Sequence, residues 1–260
     1  MRGLLISFTN WDLLTPARSV GLENYARLLK DPTFWNSLKV TVYYVLLNIP
    51  LQTLLATLIA VMMSRLTKSI IIRAIIILPW LMPGVVVGLL WLWLMDPTIG
   101  IINETLRALG LGTVPFLTIP KTAMPSIALI NIWQWVGYTA LLLFAGLQAI
   151  PGSVYEAASI DGASEGQMFW KVTVPLLRPV LVFVLVTSII GSFQVFDSIL
   201  ITTRGGPVNA TKVLNIYIYE QAFSRFNMGY ATAISMVLFL ILIIISMMQM
   251  RLMRAGESDM

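Results

Sequence analysis

Apolar residues in this chain fall into long blocks, and the polar stretches between them are short and marked by proline and glycine. A helix crossing the ~30 Å hydrocarbon core of a bilayer needs roughly 20 apolar residues. Five stretches meet that requirement, at about 40–63, 74–95, 124–147, 180–202 and 230–250. Ahead of them, MRGLLISFTNW offers only part of a span, either the end of a first helix or an interfacial piece. The pattern therefore predicts an all-α, polytopic membrane helical bundle of five complete transmembrane helices plus a partial first helix. The apolar run LLISF is too short for a signal peptide and lacks a small-residue cleavage pattern, so the mature chain is expected to begin near Met1.

Punctuation within the blocks refines this picture. Pro79 and Pro83 should kink the second span, and Gly84 and Gly88, four apart, should admit a close neighbour. The link 96–123 is expected to be an extramembrane loop with one short helical pattern at 101–109. In 211–226, Leu214, Ile218, Ala222 and Phe226 recur at helical spacing beside Tyr217, Tyr219 and Phe223, which suits an interfacial helix.

One polar segment stands out, YEAASIDGASEGQMFWKVTVPLLRP at residues 155–179. Ser153 and Glu156 have the spacing of a capping box, so a short helix should start there and end at Gly162. Ser164 and Gln167 repeat the pattern and predict a second helix from Glu165 toward Val172, after which Pro175 and Pro179 lead into the next span. The first helix is too short to be stable alone in water. Its Ala157 and Ala158 would let it sit deep in a groove. On these residues two readings stay open, a capped connector and a docking helix.

Composition narrows the function. The chain is 58% hydrophobic and 11% charged, with a net charge of +5. Its cations are scattered singly between apolar blocks, which describes membrane flanks and gives no nucleic-acid-binding stripe. Lys and Arg counts on the two sides do not decide orientation, although SRLTKSIIIR packs three cations into ten residues. Without Cys or His, the chain lacks thiolate nucleophiles, imidazole bases and the usual zinc ligands, so neither a metal site nor most enzyme chemistry is expected.

Polar side chains inside spans are costly and tend to face a cavity or a partner helix. Asn131, Gln134, Trp135 and Tyr138 share one helical face, as do Thr187, Gly191, Gln194 and Ser198 on the next span, and Tyr44, Asn48 and Gln52 on the first. Amides beside aromatic rings suit a neutral polyhydroxylated ligand, and they suit interhelical hydrogen bonding equally well. Asp197 is the one acid near a span interior, a poor basis for an ion-coupled secondary carrier, which is the alternative transport reading.

The segment EAASIDGASEGQMFWKVTVPLLRP resembles the EAA loop of permease subunits of bacterial ATP-binding-cassette importers, with Glu156, Ala157, Ala158, Gly162, Val172 and Pro175 at the pattern positions and Asp161 between them. VGLENYARLLKDPTFWNSLKVT, LPWLMPGVVVGLLWLWLMDPTIGIIN, FQVFDSILITTRGGP and IYIYEQAFSRFNMGYATAISMVLFL are similar to the maltose-type branch, which imports sugars and glycerol phosphates. The resemblance runs from Ile6 onward and departs at the front, where the family has a complete first helix of six. It implies one permease domain over residues 1–260. Its loop 148–178 would lie in the cytoplasm and couple to an ATPase through Glu156, Ala157, Ala158, Asp161, Gly162 and Pro175. Residues 64–73 and the C-terminus would lie on the same side.

The implied partners are a second, usually different permease, two ATPase copies, an extracytoplasmic binding protein or lipoprotein, and membrane lipid. ATP and Mg would belong to the ATPases, because this chain has no G-x-x-x-x-G-K-[ST] motif. The resemblance thus implies a non-enzymatic transport subunit of the bacterial cell membrane, with Asn48, Gln52, Asn131, Gln134, Trp135, Tyr138, Gln194 and Ser198 as candidates for the solute pathway.

Overall fold

The structure is a computed structural model and describes residues 2–66 and 69–254. Its helices are α1 (Arg2–Ile6), α2 (Glu23–Leu29), α3 (Pro32–Arg65), α4 (Ile70–Leu81), α5 (Gly84–Leu94), α6 (Ile101–Ala108), α7 (Pro120–Gln148), α8 (Gly152–Ile160), α9 (Glu165–Met168), α10 (Val174–Phe193), α11 (Asp197–Thr202), α12 (Leu214–Tyr219) and α13 (Met228–Arg254). Wider π turns at Phe169–Thr173 and Glu220–Ser224 follow α9 and α12. Among the described residues, α3, α7, the run Glu165–Thr202 and Met228–Arg251 are each long and apolar enough to cross a membrane. A fifth span exists only if α4 and α5 count as one.

That pair corrects the expected second span. In place of a kinked helix over 74–95, α4 and α5 meet at 93°. Met82 takes the extended ψ of 136° that a following proline favours, and Pro83 then caps α5. The glycines do admit a neighbour: a Cβ at Gly84 would lie 2.7 Å from Asp197 Oδ2, and one at Gly88 would lie 3.0 Å from Ile201. Thus α11 packs directly on the backbone of α5. The span expected at 180–202 is also interrupted, at Gln194–Phe196, between α10 and α11.

The capping reading of 148–178 is half right. Ser164 and Gln167 form a capping box on α9. Ser153 caps nothing, because Pro151 occupies the cap of α8 and the helix already begins at Gly152. Gly162 ends the unit at φ +75°. The second helix does not stop near Val172 but runs through the π turn into α10.

α3 and α7 form the central pair. Asp31 starts α3 earlier than expected, accepting hydrogen bonds from the Thr33 and Phe34 N–H groups at 2.8 and 3.4 Å, with Pro32 in the first turn. One apolar cluster, around Phe34, Tyr44, Ile127, Ile199, Leu214 and Ile234, fills the end of the bundle near Asp31. A second, around Ala56, Ala60, Met63, Leu143 and Leu177, fills the end near α8. A buried polar layer containing Asn48, Gln52, Thr139 and Ser192 separates them.

The segment 211–226 forms α12 and the π turn after it, with one face outward, where Tyr219, Phe223 and Phe226 are exposed, and the other packed on the bundle. Leu214, Ile216 and Tyr217 are buried, and the Leu214 N–H donates to Thr41 Oγ1 at 2.9 Å. The hydroxyls of Tyr217 and Tyr230 both donate to Asp31, the latter at 2.6 Å, which ties α3, α12 and α13 together.

Candidate functional site

A cavity of about 640 Å³ opens at the polar layer. Asn48, Gln52, Asn131, Gln134, Trp135, Tyr138, Gln194 and Ser198, the eight residues that the helical faces singled out, all line it. They reach it from different elements. Asn48 and Gln52 stand one turn apart on α3, while Asn131, Gln134, Trp135 and Tyr138 run along α7. Gln194 sits in the break after α10, and Ser198 is in the first turn of α11.

Hydrogen bonds cross the layer. The Asn48 amide nitrogen donates to Gln52 Oε1 and to Ser192 Oγ, both at 3.1 Å. Gln52 donates to Thr139 Oγ1 at 2.9 Å, and Asn131 donates to Ser198 Oγ at 2.9 Å. Gln134 donates to the Met82 carbonyl at 3.1 Å, satisfying a backbone group freed by the α4–α5 break. For Asn48, Gln52, Asn131 and Gln134 the two sequence readings, cavity lining and helix bridging, therefore hold together: one end of the amide binds a neighbouring helix while the residue still faces the cavity.

The aromatic wall includes a residue that the sequence reading passed over. Trp80 stacks on Tyr138 at 4.6 Å and 14°, and Trp135 meets both edge-on. Trp80 lies in an apolar run with no polar contrast, so helical periodicity gave no signal. The flanking Pro79 and Pro83 were the available hint, because a break turns nearby side chains toward a cavity. Asp197 also lines the cavity, against the start of α5.

The loop residues lie elsewhere. α8 has no buried residue. Glu156, Ala157, Asp161 and Gly162 are exposed and Ala158 is half-buried, whereas Pro175 lies apart from them, at the start of α10. Polar contacts at the loop include that of the Tyr155 hydroxyl with Thr173 Oγ1 at 3.1 Å and an ion pair between Arg65, at the end of α3, and Glu165. Beneath it runs a groove of about 730 Å³ lined by Val61, Leu147, Ile160 and Phe169 among others. Among the described residues, no cluster of three or more Asp, Glu, His or Cys could hold a metal ion.

At the opposite end, burial disfavours ionisation of Asp31, but the Tyr217 and Tyr230 hydroxyls and the Thr33 and Phe34 N–H groups outweigh it, holding the carboxyl below its ordinary 3.8.

A family model described as the binding-protein-dependent transport system inner membrane component matches residues 52–254. The chain belongs to that family. Over 228 residues it is 37% identical to the trehalose/maltose transport system permease protein MalF of Thermococcus litoralis, covering 86% of this chain and 76% of that one. It is 36% identical to the sn-glycerol-3-phosphate transport system permease protein UgpA of Agrobacterium fabrum over 89% of this chain and 80% of the relative. To the lactose transport system permease protein LacF of Rhizobium radiobacter it is 34% identical, over 95% and 82%. The fold is that of a bacterial ABC transporter involved in the import of the acidic polysaccharide alginate, with a TM-score of 0.85 at 23% identity over 97% of this chain and 88% of that one. This chain is accordingly a permease subunit of an ABC transporter, a multi-pass membrane protein whose role is transport.

Proposed function

We propose that this chain forms one half of the membrane pathway of an importer that carries a sugar or related carbohydrate from an extracytoplasmic binding protein or lipoprotein into the cytoplasm. The observation that carries this reading is the cavity at the polar layer, where amides from three spans face a stacked aromatic wall. Carbohydrates present hydroxyls and flat apolar faces, and such a wall meets both. Relatives named for trehalose/maltose and lactose support the solute class.

A second permease, a different chain, would complete the pathway, and two ATPase copies would supply ATP and Mg chemistry. α8 would be the docking element, because it is short, is followed by Gly162 at φ +75° and has no fully buried residue. Residues 1–260 then act as a single domain in the bacterial cell membrane, with α8 and Arg65 toward the cytoplasm. Ion coupling has little to work with, since Asp197 is the one acid on the cavity wall among the described residues.

The test is copurification followed by reconstitution. A tagged chain should bring down a second permease and an ATPase. Proteoliposomes of that complex should take up a saccharide only with ATP on the ATPase side. Solute movement by the chain alone along an ion gradient would overturn the reading.

A further inference from the structure

The link between α5 and α7 is apolar where a loop in water would be polar. Ile99, Ile101, Leu109 and Leu111 are each more than half exposed, although all four lie outside the spans. Single exposed aliphatic residues are ordinary, but a group of them marks a contact surface.

α6 sorts its residues onto three sides. Inward, the Asn103 amide donates to the Asp96 and Val114 carbonyls at 3.1 and 3.2 Å, and Ile102 packs against the cluster of Val87, Met95 and Ile130. One flank carries Ile101, Thr105 and Leu109 at four-residue spacing, and the other carries Glu104 and Arg107, paired with each other at 2.9 Å. The helix then closes on Gly110 at φ +73°, with the Leu111 N–H donating to the Leu106 carbonyl at 2.9 Å. In such a turn the second residue past the cap often packs back on the helix, yet Leu111 stays exposed.

Two tryptophans give the level at which this helix sits. Leu117 packs both on the cluster near Asp31 and on that of Met95, so α6 lies at the end of the bundle opposite α8. At that end Trp35, in the first turn of α3, and Trp93, in the last turn of α5, are about half exposed. Exposed indoles of membrane proteins gather at headgroup depth. The exposed row Val85, Leu89 and Trp93 climbs α5 toward Ile99, so the patch continues the apolar surface of the broken span.

We propose that α6 is an interfacial helix lying along the bilayer surface, with Ile99, Ile101, Leu109 and Leu111 in lipid and Glu104 and Arg107 among headgroups and water. A helix with one side on protein, one apolar flank and one charged flank matches that boundary. The anchor has a use in this fold. α5 has 11 residues, about 16 Å of helix, roughly half of the hydrocarbon core. With α4 turned away at 93°, length does not set the depth of α5, and α6 does so through the Asn103 bond to Asp96 just beyond it. Gly84, at the other end of α5, lines the cavity, so the lipid contact positions part of that wall.

The chain has no cysteine, so a nitroxide can be placed on a single introduced one. Leu109→Cys, Leu111→Cys and Glu104→Cys, all at exposed positions, are labelled separately and assembled with cysteine-free partner subunits in vesicles of phosphatidylethanolamine and phosphatidylglycerol. Collisions with oxygen, which concentrates in lipid, are compared with collisions with a water-soluble nickel chelate present on both faces. The oxygen-to-nickel ratio should be severalfold higher at positions 109 and 111 than at 104. Equal ratios would put the leucines in water and overturn the proposal. So would nickel access at 109 and 111 that disappears when the extracytoplasmic binding protein is added, because the patch would then be a protein dock. Leu109→Asp with Leu111→Asp, read from a label at Ile101→Cys, should shift that position toward nickel, and an unchanged ratio refutes the anchoring role of the leucines.

Discussion

The cavity wall and the α8 loop are built on opposite principles. Asn48, Gln52, Asn131, Gln134 and Ser198 of the wall are buried and bonded to neighbouring helices, so packing of the bundle holds them in place before any solute arrives. No residue of α8 is fully buried, and Ile160 is 86% exposed. A site for a small solute has to be preorganised by its own chain, whereas a helix that receives a protein partner keeps its contact surface open until that partner covers it. The contrast predicts that the wall fails through packing and the loop through backbone geometry.

Gly162→Val should have the largest effect. Position 162 has φ +75°, which a β-branched residue adopts at a strain of about 1–3 kcal/mol, yet a Cβ there meets nothing within 4 Å. The chain should insert at near-normal abundance while α8 is reoriented against α9, and ATP-driven uptake normalised to abundance should fall by more than about tenfold, or ~1.4 kcal/mol of lost coupling. Retained uptake would make the loop a passive connector.

Gly137→Ala probes the other side and should act through stability. A Cβ at 137 would overlap the Ile76 carbonyl oxygen, so α4 has to move away from α7. Overpacking of this kind costs about 1–3 kcal/mol. The expected outcome is a lower thermal midpoint and lower abundance, with partners still captured by the molecules that survive.

A smaller effect is expected at the Asp31 cluster. Its folded carboxyl is held below the ordinary 3.8, so its contribution is fully present above that value and is lost as pH falls through the lower folded one. Asp31→Asn should flatten the acid limb of a stability-against-pH curve below about pH 4. An acid limb identical to that of the parent chain would show that the two tyrosines do not stabilise the ionised form.

These elements were unequally legible in the sequence. The faces Asn131–Gln134–Trp135–Tyr138 and Tyr44–Asn48–Gln52 could be read because an amide in an apolar span has to find a partner or a cavity, and periodicity says on which side. Pro79 and Pro83 announced only a kink; the 93° bend goes with α11 lying against Gly84 and Gly88, a contact more than a hundred residues away in the chain. The aromatic spacing of 211–226 located its exposed face, with Tyr219, Phe223 and Phe226, but not its packed one, which Thr41 and Asp31, both distant in sequence, hold against the bundle. Ser153 had the spacing of a cap, yet Pro151, with its fixed φ, took the cap position first.

Arg65→Ala offers the finest discrimination between the two regions. The Arg65–Glu165 pair links the α3 end to the second half of the loop, with side chains 48% and 70% exposed. Exposed pairs contribute about 0.2–1 kcal/mol, reduced further by salt. If a docked partner is what holds the loop, Arg65→Ala, Glu165→Ala and the double variant should all show thermal midpoints close to the parent. The double-mutant coupling should then stay under ~1 kcal/mol. Amide exchange in α8 should be fast in the isolated chain and slow in the assembled complex, with or without Arg65. Slow exchange in the isolated chain that Arg65→Ala abolishes would instead mean that the chain preorganises its own coupling helix, as it does its cavity, and the contrast between the two regions would fail.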